Sequence, residues 1–319
     1  MDQDALLAEK LELLKEKYAS MGQDMLSYID GLLYSDYLTY WDYIRLDVLL
    51  NLQVPRTPIP DEKIFIHYHQ ITELFFSLTL HACEQVKNNQ KNLTAEFFTK
   101  QVKRMNSYFD ALIKSFEIMI EGMDQDQFLK FRMALLPASG FQSAQYRMIE
   151  IEATDAHLLS EHSKRDNLNR ESSAKELYKN LYWKKGATEL QTKKKTLTLK
   201  QFEAKYGEDF IDQIEECRTS NLYYFFRRLK ENSNEDLSEL KGALRKLDHY
   251  ANVQWPLMHY RSAVRYLQRN PEDIKATGGT NWQKYLPPRN QFIVFYPELW
   301  SEAELKDWGI KEFREEFMP

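Results

Sequence analysis

The chain has 319 residues, and 43% hydrophobic with 13% aromatic side chains is enough to fill a buried core. Its 43 basic and 48 acidic residues give a formal net charge of -5 and are spread along the sequence, so nothing global favours nucleic acid or an anionic membrane as a partner. Two distant cysteines argue against a disulfide framework, and no run approaches the roughly 18 apolar residues that a membrane span needs. These features predict a soluble protein of a reducing compartment, the cytoplasm.

Few glycines and prolines interrupt the chain, and apolar residues recur at spacings of three and four, which predicts an all-α fold. The first predicted helix covers residues 4–21, and its inward positions are Leu6, Leu7, Leu11, Leu14 and Tyr18. A second is predicted at residues 37–53. Three prolines then break the chain, at positions 55, 58 and 60.

Further helices are predicted from residue 61 past residue 84, over residues 94–121, and up to Arg132. Residues from about 160 to 235 are more polar and predict a helical excursion from the core. A helical pattern over residues 236–269 completes the core, with Pro256 either kinking that helix or opening a new one. The short apolar stretch 292–295 could be extended, but it is too short to change the class. One domain, 1–319, is expected.

The most specific run of the sequence begins three residues after Arg132. Residues 135–143 read Leu-Leu-Pro-Ala-Ser-Gly-Phe-Gln-Ser, which resembles the signature of the tryptophan 2,3-dioxygenase family. That family consists of all-helical, haem-dependent enzymes that insert both atoms of O2 across the indole 2,3 bond. The resemblance implies that Ser139 and Gly140, which are small, line the distal side of the haem near the O2.

A second block contains the candidate haem ligand. Residues 255–265, Trp-Pro-Leu-Met-His-Tyr-Arg-Ser-Ala-Val-Arg, are similar to the family segment in which a helical histidine binds the haem iron on its proximal side. Trp255 and His259 are four apart and share a helix face, and Ser262 and Ala263 keep that face low enough for a flat macrocycle. The resemblance implies that His259 is the axial ligand; without the other blocks, a core histidine bonded to a carbonyl would be the favoured interpretation.

A third block matches the family at many positions. Residues 61–74 resemble the family helix Asp-Glu-x-x-Phe-Ile-x-x-His-Gln-x-x-Glu-Leu. Here His67 and His69 are two apart, so on a helix they point about 200° away from each other and cannot chelate one metal, whereas Phe65 and His69 share a face. The resemblance implies that His69 faces the indole N–H on the distal side and orients the substrate.

The resemblance also implies how the amino-acid part of the substrate is bound. Residues 277–279, Thr-Gly-Gly, resemble the family loop in which the threonine binds the ammonium and carboxylate, so Thr277 is a candidate for substrate binding and Gly278 is a candidate for cofactor binding. Arg132 is expected to pair with the carboxylate through its planar guanidinium. Two departures concern this region: Phe128 stands where the family has tyrosine, and Thr-Asn-Trp follows the loop where the family has Ser-Ser-Gly.

The N-terminal region carries a fourth resemblance. Residues 40–47 resemble the family segment Tyr-x-x-Tyr-Leu-x-Leu-Asp, with Ile44 in place of the first leucine. In relatives this helix reaches a neighbouring subunit, where the tyrosines and the aliphatic residue pack on the indole. The resemblance therefore implies an interface arm over residues 1–55, substrate contacts from Tyr40, Tyr43 and Ile44, and a homotetramer built as a dimer of dimers.

Together these blocks predict an enzyme that converts L-tryptophan and O2 to N-formylkynurenine with haem b, ferrous in its active form. One alternative is a haem enzyme of the same superfamily that acts on another indole or aromatic compound, which Phe128 and the altered loop favour. A second alternative is a non-catalytic helical interaction protein, which predicts that no haem is bound.

Overall fold

The computed structural model describes the chain in five ranges: 3–35, 39–132, 142–188, 194–267 and 287–317. Helices account for most of these residues, and the paired backbone among them is limited to two isolated bridges. The predicted all-α class is therefore confirmed. Within the same ranges, none of the helices combines the length and the apolarity that crossing a lipid bilayer demands.

The chain divides into two compact units, Met1–Val54 and Pro55–Pro319. The helices of the first unit are α1 Gln3–Ser20, α2 Met25–Leu33, α3 Tyr40–Tyr43 and α4 Leu46–Leu49. Asp24 caps α2, because its carboxylate accepts from the backbone N–H of Leu26 (3.3 Å) and of Ser27 (3.1 Å). The rings of Tyr18 and Tyr28 lie 4.6 Å apart and join α1 to α2.

The four helices of the first unit do not form a buried core. The predicted helix over residues 4–21 is confirmed by α1, but the prediction that its leucines face inward is wrong, since α1 to α4 contain no buried residue. Leu7 is 57% exposed and Leu33 is 77% exposed. The leucines of α1 are not gathered on one face of that helix, and α2, which pairs with it, is only 9 residues long, so the two helices do not enclose them.

The predicted single helix over residues 37–53 is also wrong. Arg45 has a φ of 53°, in the left-handed region, and separates α3 from α4. One residue in that conformation ends a right-handed helix, because the following N–H groups no longer point along its axis. The sequence gives no sign of this break, since arginine rarely adopts a positive φ.

Four helices form the centre of the second unit: α5 Glu62–Asn88, α6 Ala95–Ser115, α9 Ala144–Ala153 and α14 Ser238–His249. Between them lie α7 Glu117–Ile120 and α8 Gln125–Arg132. Fully buried side chains from α5, α6 and α14 meet in one cluster, which includes Val86, Phe98, Phe109, Leu112 and Leu244. The helices predicted from residue 61, over 94–121 and up to Arg132 are thus confirmed, the middle one as α6 followed by α7.

The polar segment of residues 160–235 packs more closely than its composition suggests. It contains α10 Ala174–Lys179, α11 Trp183–Gly186, α12 Leu197–Glu216 and α13 Leu222–Asn232. Their inner faces supply buried residues to the same cluster as α5 and α6, among them Leu177, Phe210, Phe225 and Phe226. The described part of this segment is therefore a layer of the core and not an excursion from it.

The last core helix follows α14 without a loop. A π-helical turn, Tyr250–Gln254, connects α14 to α15 Trp255–Leu267, so Pro256 lies in the first turn of a new helix, the second of the two predicted outcomes. Residues 287–317 contain three short α-helices: α16 Pro288–Gln291, α17 Glu302–Lys306 and α18 Ile310–Phe317.

The buried carboxylate of Asp248 ties the C-terminal segment to α14. It accepts from Asn252 Nδ2 (2.8 Å), Phe295 N (2.9 Å), Tyr296 N (3.1 Å) and Trp300 Nε1 (3.0 Å). Burial raises the pKa of Asp248 to about 6, although the hydrogen bonds act in the opposite direction. Residues 292–295, which could have been extended, pass this carboxylate without forming a strand.

Candidate active site

The first turn of α5 is held in place by two carboxylates. Glu62, which is fully buried, accepts from the backbone N–H groups of Arg56 and Thr57 (2.7 Å each) and from the Thr57 hydroxyl (2.6 Å). The Asp61 carboxylate accepts from Asp124 N at 2.6 Å, at the start of α8. These bonds fix the register of α5 against α8, and with it the positions of the residues one and two turns further on.

His69 lies two turns into α5 with a defined tautomer. Its Nδ1 is 2.8 Å from the carbonyl oxygen of Phe65, and a carbonyl only accepts, so Nδ1 carries the proton and donates. Nε2 of the neutral ring is then an acceptor. The side chain is accessible to solvent, yet the protein around it is dense enough that burial lowers the pKa of His69. His69 is therefore neutral at pH 7.

Phe65 and Phe128 form an apolar wall beside His69. The Phe65 ring is 4.0 Å from the His69 ring and 6.3 Å from the Phe128 ring. Phe128 in turn packs on Tyr266 of α15, with ring centroids 4.5 Å apart. Arg132 ends α8 half-buried, and its guanidinium carbon lies 6.0 Å from the Phe128 ring. The structure thus brings the predicted residues Phe65, His69, Phe128 and Arg132 into one neighbourhood.

His259 occupies the matching position on α15. Its Nδ1 donates to the carbonyl oxygen of Trp255 at 3.0 Å, which leaves Nε2 with its lone pair free to bind a metal. The Trp255 ring lies 4.5 Å from the imidazole and the Phe116 ring 4.7 Å. The pKa of His259 is lowered to about 4, chiefly by burial; the nearby His69 and Arg147 act in the same direction, and the hydrogen bond to Trp255 acts in the opposite one.

Aromatic residues connect the two histidines. Phe116, in the short link between α6 and α7, contacts both His259 and Tyr68, whose ring is 5.7 Å away and precedes His69 on α5. The two imidazoles are close enough for His69 to lower the pKa of His259. Side chains that are 190 positions apart in the sequence therefore lie in one neighbourhood.

The donor set fits a haem better than a metal ion bound by protein alone. In the described ranges there is no group of three or more histidine, cysteine, aspartate or glutamate side chains that could hold a metal ion. A porphyrin needs only one axial side chain from the protein. His259 meets the requirement, because it is half-buried, neutral at pH 7 and oriented by a backbone carbonyl.

A buried ion pair next to the site is not among the residues predicted from the sequence. The Arg147 guanidinium donates to Glu150 Oε2 and to the Tyr182 hydroxyl (2.8 Å each), and that hydroxyl donates to Glu150 Oε1 at 2.6 Å. The positive charge of Arg147 contributes to the lowered pKa of His259. The sequence does contain a signal for this ion pair, since Arg147 and Glu150 are three apart on α9 among the apolar residues Met148, Ile149 and Ile151.

The position of some predicted site residues is not described by the structure. Ser139, Gly140, Thr277 and Gly278 lie outside the described residues, as does the altered stretch at residues 280–282. Ser143, the last residue of the signature, caps α9 by accepting from Tyr146 N at 3.2 Å.

The candidate indole contacts of the N-terminal arm belong to the first unit. There Tyr40 is 71% exposed and Tyr43 is 77% exposed, while Ile44 is half-buried. Their role at a substrate stays a prediction.

Comparison with known proteins identifies the family. The family model for tryptophan 2,3-dioxygenase matches residues 31–271. A tryptophan 2,3-dioxygenase of Ruegeria sp. (strain TM1040) is 29% identical over 278 residues, 84% of this chain and 92% of the relative. That of Polaromonas naphthalenivorans (strain CJ2) is 27% identical over 279 residues, 84% and 92%. That of Pseudomonas aeruginosa (strain UCBPP-PA14) is 28% identical over 274 residues, 82% and 88%. The chain belongs to the tryptophan 2,3-dioxygenase family.

Proposed function

We propose that this chain is a tryptophan 2,3-dioxygenase, which adds both atoms of O2 across the indole 2,3 bond of L-tryptophan and releases N-formylkynurenine. The observation that carries the proposal is the pairing of two neutral histidines, His69 and His259, each with Nδ1 committed to a carbonyl and Nε2 available. The named activity of the relatives supports the same reaction.

The cofactor in this proposal is haem b, held through Nε2 of His259. Trp255 orients the ligand, because its carbonyl accepts the Nδ1 proton and its ring packs on the imidazole. When bound, the haem supplies the oxygen chemistry that protein side chains cannot perform. The low pKa of His259 keeps its lone pair available at any pH well above 4.

The side chains around His69 position the substrate. Nε2 of His69 accepts the indole N–H, and this role is orientation more than that of an obligatory base. The rings of Phe65 and Phe128 give the indole an apolar surface and exclude water from it. Arg132 pairs with the substrate carboxylate, and Ser139, Gly140, Thr277 and Gly278 complete the pocket in the proposal.

The proposal includes a cytoplasmic homotetramer, a dimer of dimers. The exposed apolar side chains of α1 to α4 support it, because a face of that size needs a cover. In the tetramer, Tyr40, Tyr43 and Ile44 of one subunit pack on the indole in the site of a neighbour.

A second candidate is the same haem chemistry on a different indole or aromatic compound. Phe128 favours it, since a phenylalanine at this wall offers the substrate no hydroxyl and packs instead against Phe131 and Tyr266. Replacement of L-tryptophan by indole derivatives and other aromatic amino acids in the same assay separates this candidate from the first.

The test is the visible spectrum of the purified ferrous protein without oxygen, followed by addition of oxygenated L-tryptophan. A Soret band and growth of the near-ultraviolet absorbance of N-formylkynurenine are expected. A Soret band without product favours the second candidate. A protein that binds no haem, even after reconstitution, contradicts both and leaves the non-catalytic interaction protein.

A further inference from the structure

The π-helical turn before α15 leaves the backbone carbonyl of Ala251 without a partner from its own helix. In this turn, Tyr250–Gln254, the N–H of Trp255 donates to the carbonyl of Tyr250, five residues earlier. The N–H of Trp255 therefore does not donate to the carbonyl of Ala251, as it would in an α-helix. The partner of Ala251 in the π register is residue 256, a proline that has no N–H.

Tyr146 of α9 supplies the missing donor. Its hydroxyl donates to the Ala251 carbonyl at 2.8 Å, across 105 positions of sequence. Ala251 is fully buried and Tyr146 is 6% exposed, so water cannot take over this bond. An unsatisfied carbonyl at such a place is costly, and the π turn depends on the hydroxyl for its satisfaction.

The π turn decides where His259 points. Each residue of an α-helix turns the chain by about 100°, so a slip of one residue between π and α register redirects every side chain that follows. The Tyr146 ring also takes part in a row of contacts that ends at the imidazole. It lies 5.3 Å from Phe76, which is 5.8 Å from Trp255, which is 4.5 Å from His259.

We propose that Tyr146 is a positioning residue for His259: its hydroxyl completes the π turn and thereby fixes the register of α15 and the direction of the axial imidazole. The inference rests on the proposed function in one respect, the role of His259 as the haem ligand. Pro256 is the reason that a side chain from another helix is needed.

The first experiment compares the holoenzyme with Tyr146→Phe. Loss of one buried hydrogen bond is expected to speed haem dissociation about tenfold, measured by transfer of the haem to an excess of apomyoglobin. The iron–histidine stretching band in the resonance Raman spectrum of the ferrous protein is expected to shift or broaden. A matched control is Thr154→Val, which removes a buried hydroxyl that donates to the Phe295 carbonyl at 2.5 Å. It is expected to change neither readout.

The second experiment is a rescue. Pro256→Ala restores an N–H five residues after Ala251, so Tyr146→Phe is expected to have little effect in the Pro256→Ala background. No rescue, or an equal effect of Thr154→Val, overturns the inference, and so does Tyr146→Phe behaving as wild type. If Tyr146→Phe alone does not fold, the double variant still decides. Haem retention by His259→Ala contradicts the proposed function instead, so the two failures are distinguishable.

Discussion

α5 and α15 use the same local device to hold a histidine but place it in different surroundings. His69 and His259 each donate Nδ1–H to the carbonyl four residues earlier, at 2.8 and 3.0 Å. His67 does the same towards Lys63 at 2.7 Å, so the bond by itself marks no function. What differs is the environment. His259 is enclosed by Trp255 and Phe116, whereas His69 has one face open to solvent and to a substrate.

In the function that we propose, one backbone geometry serves two tasks. Enclosure keeps an imidazole neutral and immobile, as a permanent metal ligand requires. An accessible ring with the same tautomer offers its acceptor to a molecule that enters and leaves. His67, two residues from His69 on the opposite face of α5, supplies the matched control for both.

The largest effect is expected from His259→Ala. This change removes the single axial side chain, so stoichiometric haem retention is lost. The measurement is the Soret absorbance per protein, with circular dichroism to show that the helices persist. His67→Ala is expected to keep its haem. A purified His259→Ala protein with an unchanged haem spectrum would remove His259 from the axial role.

Arg132→Ala tests the open side of the comparison. The variant keeps its haem, but the KM for L-tryptophan rises by a factor of about 30 to 1000, equivalent to about 2 to 4 kcal/mol for a carboxylate left without its partner. Steady-state kinetics with L-tryptophan measure this change. Arg104→Ala, at an exposed arginine of α6, is the control. A KM close to wild type means that the carboxylate is bound elsewhere.

A smaller effect is expected from His69→Phe, which removes the acceptor for the indole N–H and keeps a ring. We expect kcat/KM for L-tryptophan to fall roughly 5- to 150-fold, the range of one buried hydrogen bond, with haem retained. 1-Methyl-L-tryptophan has no indole N–H, so the variant should discriminate less between the two substrates than wild type does. Equal discrimination by both proteins would contradict the role of His69, and His67→Phe should leave it unchanged.

The smallest effect concerns pH and sharpens the comparison of environments. The pKa of His259 is lowered from 6.5 to about 4, so its contribution to stability is complete above 6.5 and is lost as the pH falls towards 4. Asp248 acts with the opposite sign, because its pKa is raised to about 6 and its contribution is lost as the pH rises from 3.8 through 6.

Urea unfolding of the haem-free protein between pH 4 and 7 measures this difference. Between pH 7 and pH 4, the unfolding free energy of His259→Phe should fall by about 1 to 2 kcal/mol less than that of wild type, after allowance for partial solvent screening. His67→Phe is the control. A slope that His259→Phe leaves unchanged means that the folded protein does not hold His259 in its neutral form.

Many features of the second unit were predictable from the local sequence pattern. The acidic start of α5 at Asp61 and Glu62, its apolar spacing and the shared face of Phe65 and His69 are properties of neighbouring residues, and the structure places them as predicted. The same holds for Trp255 and His259 on α15. In the first unit the prediction from spacing is wrong, because the spacing of leucines on α1 does not reveal whether anything covers them.

Taken by itself, the sequence determined the all-α class, the family, and the identity of His69, Arg132 and His259 as candidates, because helix periodicity and motif spacing are short-range properties. Only the tertiary structure decided which residues meet. It placed Tyr146 on the orphan carbonyl of Ala251 and made the polar segment 160–235 a layer of the core. Such contacts depend on how helices pack across long separations, where many arrangements satisfy the same local pattern and the native one leaves few buried polar groups without a partner.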